Sequence, residues 1–347
     1  QEGGILTSAH GDVRIVLPGS TAATHASTGD RLPVGTIVET GQDSRAEATF
    51  ADGTVVQILP QSRLTVADYQ RDRRNDRRQS ALNLTMGRIL GKIKPKEKEE
   101  STFKVKTPTT TIAIRGTNLR IDSDQNETVR LSVLTGKAEY QAGRKSLLVP
   151  ANFGTYAKGE SAPVPPIELL PPPAVVAPSE RSTSTARQRF GFAWETIPSG
   201  RFNEFHFELC RDASFNDPVA DVRTKAPQYE SKALEDGVYY WQVASVDTDG
   251  LEGRVTQGKL TVHRNMGVTF RAVPDPLTID GRWIIGKRCQ VSADAAMDTS
   301  IVRMEVDLGG ETSWEFWEPT ARFSFPREGS FTLHAQGIDA MDKRGPI

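Results

Sequence analysis

The side chains best able to do chemistry in this chain are thinly spread. Its five histidines, His10, His25, His206, His263 and His334, show no metal-ligand spacing. No Gly-x-Ser-x-Gly elbow, phosphate-cradling glycine loop or His-Glu-x-x-His pair occurs, so nucleophilic, phosphoryl-transfer and zinc-hydrolase chemistry lack a motif. The 44 acidic residues supply carboxylate pairs in any arrangement, and only a cleft could single one pair out for hydrolysis. The nearest approach to a cation loop is "DSDQNET". There Asp122, Asp124 and Asn126 begin like an oxygen-ligand set, but Glu127 stands where the sixth-position glycine is needed and Val133 where the bidentate acid should come. A solvated hairpin loop accounts for it, and Asp247-Thr-Asp249-Gly250 reads as a strand-connecting turn. The sequence therefore predicts no catalytic residue, no metal site and no cofactor.

Two stretches suit binding better. "YQRDRRNDRRQS" carries five arginines, Arg71, Arg73, Arg74, Arg77 and Arg78, against two aspartates. On a hairpin it presents guanidinium forks that match carboxylate or phosphate groups, although a charged, solvated loop has the same composition. In "SWEFWEP", Trp314 and Phe316 alternate onto one face and Trp317 falls near the other. An exposed Trp317 would stack on a sugar or dock a partner, while sandwich packing would bury it. These six residues are the candidate partner-binding set.

The totals bound what such residues can serve. A length of 347 residues implies two to three domains, each able to bury a core. Lys+Arg 43 against Asp+Glu 44 gives a net charge of −1, which provides no global field for nucleic acid. No apolar run reaches the roughly 18 residues a membrane helix needs, so no transmembrane segment is predicted. The chain begins at Gln1 without a leader, and a processed N-terminus that has lost an export signal is expected. Two cysteines, Cys210 and Cys289, are too few for a disulfide scaffold or a cysteine zinc site, and two separate buried thiols are expected.

The elements that must position these groups are strands. "DVRIVL", "RAEATF", "TVVQIL", "TVRLSVL", "FHFELC", "YYWQVASV" and "FTLHAQGI" alternate at period two, with turns such as Asp52-Gly53, Asp236-Gly237 and Asp249-Gly250. "HGDVRI", "TMGRIL" and "LTGKAEY" reuse one glycine turn at uneven spacing, which suggests coils or hairpins without a fixed repeat. Ser161 to Ser184 is proline-laden and is expected to run as a stiff polyproline spacer rather than join a sheet. In "VKTPTTTIAIRGTNLRI", Pro108 cannot donate to a ladder, Thr109 to Ile114 favour strand, and Gly116 permits a bulge or a positive φ. That stretch predicts a strand, a kink and a continuation. Arg115 reads as a structural arginine at the bulge.

This last segment resembles the FecR domain in its Val-x-Thr-Pro-Thr opening, Arg-Gly-Thr and following apolar strand. Its motif residues are Thr107, Pro108, Arg115, Gly116 and Thr117. The resemblance extends upstream to "GTIVETGQDSRAEATFADGTVVQILPQSRLTV" and downstream to "VRLSVLTGKAEY" and "LLVPANFGTYAKGE", covering about residues 10 to 160. It implies an extracytoplasmic, solenoid-like β domain used in envelope signalling and scaffolding. The membrane helix and cytoplasmic segment of its sigma-regulating members are absent from this sequence. A further implication is a partner class of membrane receptors carrying a CHASE2 sensory domain.

Beyond the proline segment, "RFGFAWET", "FNEFHFELCRDASFNDPV" and "LEDGVYYWQVASVDTDGLEG" resemble a fibronectin type III domain, with Trp194 buried early and Tyr240 on a late strand. "IVRMEVDLGG" and "EGSFTLHAQGIDAMDKRG" resemble a bacterial immunoglobulin-like domain. The expected architecture is all-β: a FecR-like domain over 1–160, a linker over 161–184, and β-sandwiches over 185–264 and 265–347. Sandwiches host binding more often than chemistry. The expected role is a non-enzymatic periplasmic or cell-surface protein that engages an envelope protein partner in a sensor or signalling system. Peptidoglycan or another glycan is the alternative ligand.

Overall fold

The computed structural model describes residues 3–72, 77–93, 102–177, 189–235, 237–262, 268–273, 277–279, 282–284, 290–295, 301–308, 313–316, 320–323 and 333–339, and every regular element among them is a strand. The N-terminal module opens with β1 (Gly4–His10), β2 (Val13–Val16), β3 (Thr24–His25), β4 (Arg31–Leu32), β5 (Ile37–Thr40), β6 (Arg45–Phe50) and β7 (Val55–Ile58). A long hairpin follows, β8 (Arg63–Asp72) and β9 (Arg77–Lys92). Then come β10 (Thr102–Lys106), β11 (Thr110–Ser123), β12 (Thr128–Ala142), β13 (Lys145–Pro150), β14 (Phe153–Lys158) and β15 (Ile167–Glu168).

Hydrogen bonding links all fifteen in one sheet, ordered β15-β14-β12-β11-β10-β9-β7-β6-β1-β4 along its main path, with β13 on β12 and with β2, β3, β5 and β8 branching off. Most pairs are antiparallel; β10 runs parallel to β9. Period-two alternation sends Leu6, Ala46, Ala48, Phe50, Val56, Ile58, Ile89, Phe103, Val105, Ile112, Ile114, Ile121, Leu131 and Val133 into a single core. The rings of Phe50 on β6 and Phe103 on β10 meet edge-on at 6.2 Å although two strands lie between theirs, so the sheet curls over this core.

The threonine-proline stretch has a local explanation. Thr107 to Thr110 turn the chain from β10 into β11: the Thr107 amide donates to the Thr110 carbonyl at 2.9 Å, and the Thr110 amide donates back to Thr107 Oγ1 at 3.0 Å. The strand proper starts after the proline, at Thr110. Further along, the β11–β12 register shifts between Arg115 and Asn118, where Gly116 takes φ 62°. Across the ladder Gly136 takes φ 77°, and a Cβ there would lie 2.4 Å from the Gly116 carbonyl oxygen. Two backbones approach at the bulge with no room for a side chain on Gly136.

The proline-rich segment differs from its expected role as a free polyproline spacer. Ile167 and Glu168 pair with Gly154 and Phe153, the Leu169 amide donates to the Asn152 carbonyl at 2.9 Å, and Leu169 and Leu170 are buried. Prolines forbid a long ladder. They still leave room for a two-residue edge pairing wherever Ile, Glu and Leu interrupt them, and two buried leucines favour laying the strap against the protein.

After the strap come β16 (Val175–Ala177), β17 (Gly191–Trp194), β18 (Phe202–Cys210), β19 (Pro218–Thr224), β20 (Gln228–Glu230), β21 (Gly237–Asp247) and β22 (Glu252–Val262). They form a three-stranded sheet, β16-β17-β20, and a four-stranded sheet, β19-β18-β21-β22. Trp194 joins the two, stacked on Phe207 at 5.5 Å and edge-on to Phe205 at 5.5 Å. The last strands are β23 (Val268–Val273), β24 (Leu277–Ile279), β25 (Arg282–Ile284), β26 (Gln290–Ala295), β27 (Ile301–Leu308), β28 (Ser313–Phe316), β29 (Thr320–Phe323) and β30 (Leu333–Asp339). These make sheets β23-β26-β29 and β28-β27-β30 and a β24–β25 pair.

By compactness the chain divides into two units. One comprises 1–177, 193–229 and 239–259; the other comprises 178–192, 230–238 and 260–347. The first unit thus contains the whole N-terminal sheet together with most of the four-stranded sandwich sheet.

Candidate functional site

The outer face of the N-terminal sheet carries the polar half of each alternation. On β6, Ala46, Ala48 and Phe50 take the core, which leaves Arg45, Glu47 and Thr49 outward. By the same rule Gln57 on β7, Arg88 on β9, Arg120 and Asp122 on β11, and Arg130 and Ser132 on β12 face out. The four-stranded sheet has a matching pattern. Phe205, Phe207 and Leu209 of β18 fill the sandwich, so Glu204, His206, Glu208 and Cys210 face the other way, beside Asp221 and Arg223 of β19, Gln242 of β21 and Glu252 of β22.

These two polar faces meet within the first unit. Arg45 Nη2 reaches Glu208 Oε1 and Asp221 Oδ2, both at 2.5 Å, and its Nη1 donates to the Phe215 carbonyl at 2.8 Å. The Arg45 and Glu208 side chains are only 3% and 6% exposed, so both charges are desolvated and each needs the other. His206 bridges two carboxylates, with Nε2 2.8 Å from Asp221 and Nδ1 3.1 Å from Glu252. Glu252 also receives Arg120 at 3.4 Å and Arg223 at 3.6 Å. Gln242 donates to the second oxygen of Glu208. At one margin the β18–β19 loop docks, Gln57 Nε2 donating to Asn216 Oδ1 at 3.0 Å and Asn216 Nδ2 to Glu47 at 3.1 Å. At the other, Arg120 Nη1 donates to the Gly253 carbonyl at 2.7 Å and Arg130 Nε to that of Asp249 at 2.6 Å.

The charges hold one another's protonation states. Burial alone would push the His206 imidazolium down, but the charges of Glu252 and Glu208 and the bond to Asp221 outweigh it, and His206 is held up at about 10. Burial would likewise raise Asp221 and Glu252, yet His206 and the neighbouring arginines hold both below the usual carboxylate range. Asp122 is different: burial dominates over Arg88 and Arg130 and its carboxyl is pushed up. Burial also raises the Cys210 thiol, which lies on the seam side of β18 near Arg45 and Glu208.

Donor atoms of His206, Glu208 and Asp221 lie within 4.8 Å of one another, a spacing that suits a metal ion. Arg45 sits on both carboxylates and takes the cation's place, so this set does not suit a metal while the seam is closed. A cavity of about 30 Å³ remains among Arg88, Arg120, Asp122, Arg130, His206 and Glu252. That is room for a water or two, not for a substrate. Arg88 Nη1 is buried, without a hydrogen-bond partner among the described residues.

Residues 36–139 match the FecR protein family. The N-terminal module contains a FecR domain. No curated protein matches the chain. Among solved structures, a protein assigned as an anti-sigma factor from Parabacteroides distasonis is 16% identical, with a TM-score of 0.33, over 38% of this chain and 59% of its own. This chain therefore spans about three-fifths of that protein. Fibronectin(III)-like modules of Clostridium thermocellum CbhA are 16% identical, TM-score 0.22, over 26% of this chain and 97% of theirs. The extracellular domain of a one-component system from B. thetaiotaomicron is 9% identical, TM-score 0.23, over 66% and 36%.

Of the sequence-derived candidates, Arg71, Arg77 and Arg78 lie where β8 ends and β9 begins, in a register that sets Arg71 opposite Arg78 and Asp72 opposite Arg77. Arg73, Arg74 and Trp317 lie outside the described residues, as does Cys289. Thr107 and Pro108 form the β10–β11 turn of the FecR domain. Arg115, Gly116 and Thr117 occupy its bulge, where Thr117 Oγ1 donates to the Lys137 carbonyl at 2.8 Å. The calcium-like loop is a turn: Asp124 Oδ1 accepts the amides of Asn126 and Thr128, and its Oδ2 takes Arg130 at 2.8 Å. The seam residues Arg45, Glu208, Asp221 and Glu252 were not singled out from sequence. Their one sequence signal is alternation opposite Phe205, Phe207 and Leu209, which marks them as facing away from the sandwich core without saying what covers them.

Proposed function

We propose that this is a non-enzymatic, exported envelope protein whose FecR domain and first sandwich sheet together form a platform for a partner protein in a signalling system. The observation that carries the reading is the seam. Glu208, Asp221 and Glu252, which with His206 could have formed a catalytic cluster, instead bind Arg45, Arg120, Arg223 and His206 itself, beside a cavity too small for a substrate. A cluster arranged that way positions modules. The long β8–β9 hairpin carries Arg71, Arg77 and Arg78 at its far end, flanking Arg73 and Arg74 in the sequence, and this basic end is the proposed contact. A membrane sensor of the CHASE2 type is the proposed partner class.

The test is a crosslinking pull-down of the tagged chain from native envelopes, at low and high salt, beside a variant with Arg71, Arg73, Arg74, Arg77 and Arg78 changed to Ala. Recovery of one membrane protein, weakened by salt and lost in the variant, supports the reading, since exposed charges are screened within ~8 Å at physiological ionic strength. Recovery of wall fragments alone, indifferent to the arginines, overturns it in favour of a glycan binder.

A further inference from the structure

The seam has an uneven character. Near the strap it is apolar and backbone-bonded: a Cβ on Gly154 would meet Leu169 and Leu251 at 3.0 Å each, and one on Gly253 would meet the Leu170 carbonyl at 2.4 Å. Thr256 Oγ1 donates to the Pro173 carbonyl at 2.5 Å. Away from the strap, the described contacts are ion pairs and side-chain hydrogen bonds, with Leu59 and Leu90 adding apolar wall at the cavity. Separating apolar surfaces exposes them to water, whereas separated guanidinium and carboxylate groups recover their hydration. The strap side is built as a hinge, and the Arg45–His206 side as a latch.

The two faces also differ in sign. The FecR face contributes Arg45, Arg88, Arg120 and Arg130; the sandwich sheet answers with Glu204, Glu208, Asp221 and Glu252, and with His206 and Arg223 between them. Glu47, Asp122 and Asp124 temper the FecR side. The fit is incomplete, because Arg88 lines the cavity and its buried Nη1 has no hydrogen-bond partner among the described residues. We propose that the arginine face of the FecR sheet is an exchangeable docking surface for an acidic protein segment, occupied in cis by the sandwich sheet, which swings on the strap to release it. The partner chemistry follows from the cis occupant: an extended segment that presents carboxylates at strand spacing to Arg45, Arg88, Arg120 and Arg130. This rests on the partner-binding reading above and adds a second contact surface to it.

Cys210 reports on the cover, since its thiol is fully buried on the seam side of β18. In the full chain at low salt, Cys210 alkylation is followed by peptide mass mapping, which separates it from Cys289, with poly-glutamate, poly-lysine or no peptide added. Poly-glutamate should raise the Cys210 rate saturably, by about tenfold, and poly-lysine should not. The response should persist when Arg71, Arg73, Arg74, Arg77 and Arg78 are changed to Ala. It should fall in Arg88→Gln, whose lost group has the least to give up in cis. A Cys210 rate indifferent to poly-glutamate overturns the proposal. So does a response that vanishes in the five-arginine variant, which would place acidic binding on the hairpin alone and leave the partner reading standing. If envelope pull-down fails while the response persists, the partner reading falls and the docking surface remains.

Discussion

At the residue scale the protein turns on one guanidinium. Arg45 is held against Glu208 and Asp221 out of water, and removing it would leave Glu208 buried without its cation. Arg45→Met should therefore lower the stability of the folded chain by about 3–5 kcal/mol in a denaturant titration. Adding Glu208→Leu should return part of that loss, because an apolar pair tolerates the dry site better than a lone charge. The same contacts fix a pH window. His206, raised from 6.5 to about 10, contributes in full below 6.5 and loses its contribution as pH rises through about 10. Asp221 and Glu252, held low, contribute above their ordinary range near 4 and lose their contribution as pH falls through their depressed values. Asp122, raised by burial, has the opposite sign and favours the folded state more in acid. Melting temperature against pH should show a plateau from about pH 5 to 6.5, a fall below it as the carboxylates protonate and a steady decline from 6.5 towards 10 as His206 deprotonates, and Asp221→Asn should reduce the plateau's height.

At the scale of elements, the β11–β12 ladder holds the FecR sheet in register through a bulge that only glycine permits. Gly136→Ala places a methyl 2.4 Å from the Gly116 carbonyl at a φ of 77°, and should cost well over 1 kcal/mol. Gly200→Ala meets nothing within 4 Å and should change stability by less than about 0.5 kcal/mol; equal effects in the two variants would show that backbone approach at the bulge is unimportant. Strand content, the strand that begins after Pro108 and the ladder shift at Gly116 could be read from the chain, because alternation, proline and glycine act within a few residues of themselves. The strap could not. Its prolines mark it as unable to extend a sheet, but whether Leu169 and Leu170 are buried depends on Gly154 and Leu251, which lie far from them or on another module.

For the whole molecule, the FecR sheet and most of the four-stranded sandwich sheet belong to one compact unit, although composition divides them at the proline segment. Residues 1–177, 193–229 and 239–259 should unfold in a single cooperative transition by hydrogen exchange. Asp221→Asn combined with Glu252→Gln should separate it into an earlier loss of β18 and β19 and a later loss of the FecR sheet. Simultaneous loss in the double variant would show that the strap, not the seam, couples them. By itself the sequence determined an all-β protein with a FecR domain followed by sandwiches, since strand periodicity, turn chemistry and family motifs are local and ordered along the chain. The tertiary structure alone decided that polar positions on β6, β11, β18, β19 and β22 are covered. Alternation says which side of a strand a residue takes. Whether water or another sheet lies on that side depends on residues some 160 to 180 positions away, as Arg45 and its carboxylates, 163 and 176 residues further along, make plain.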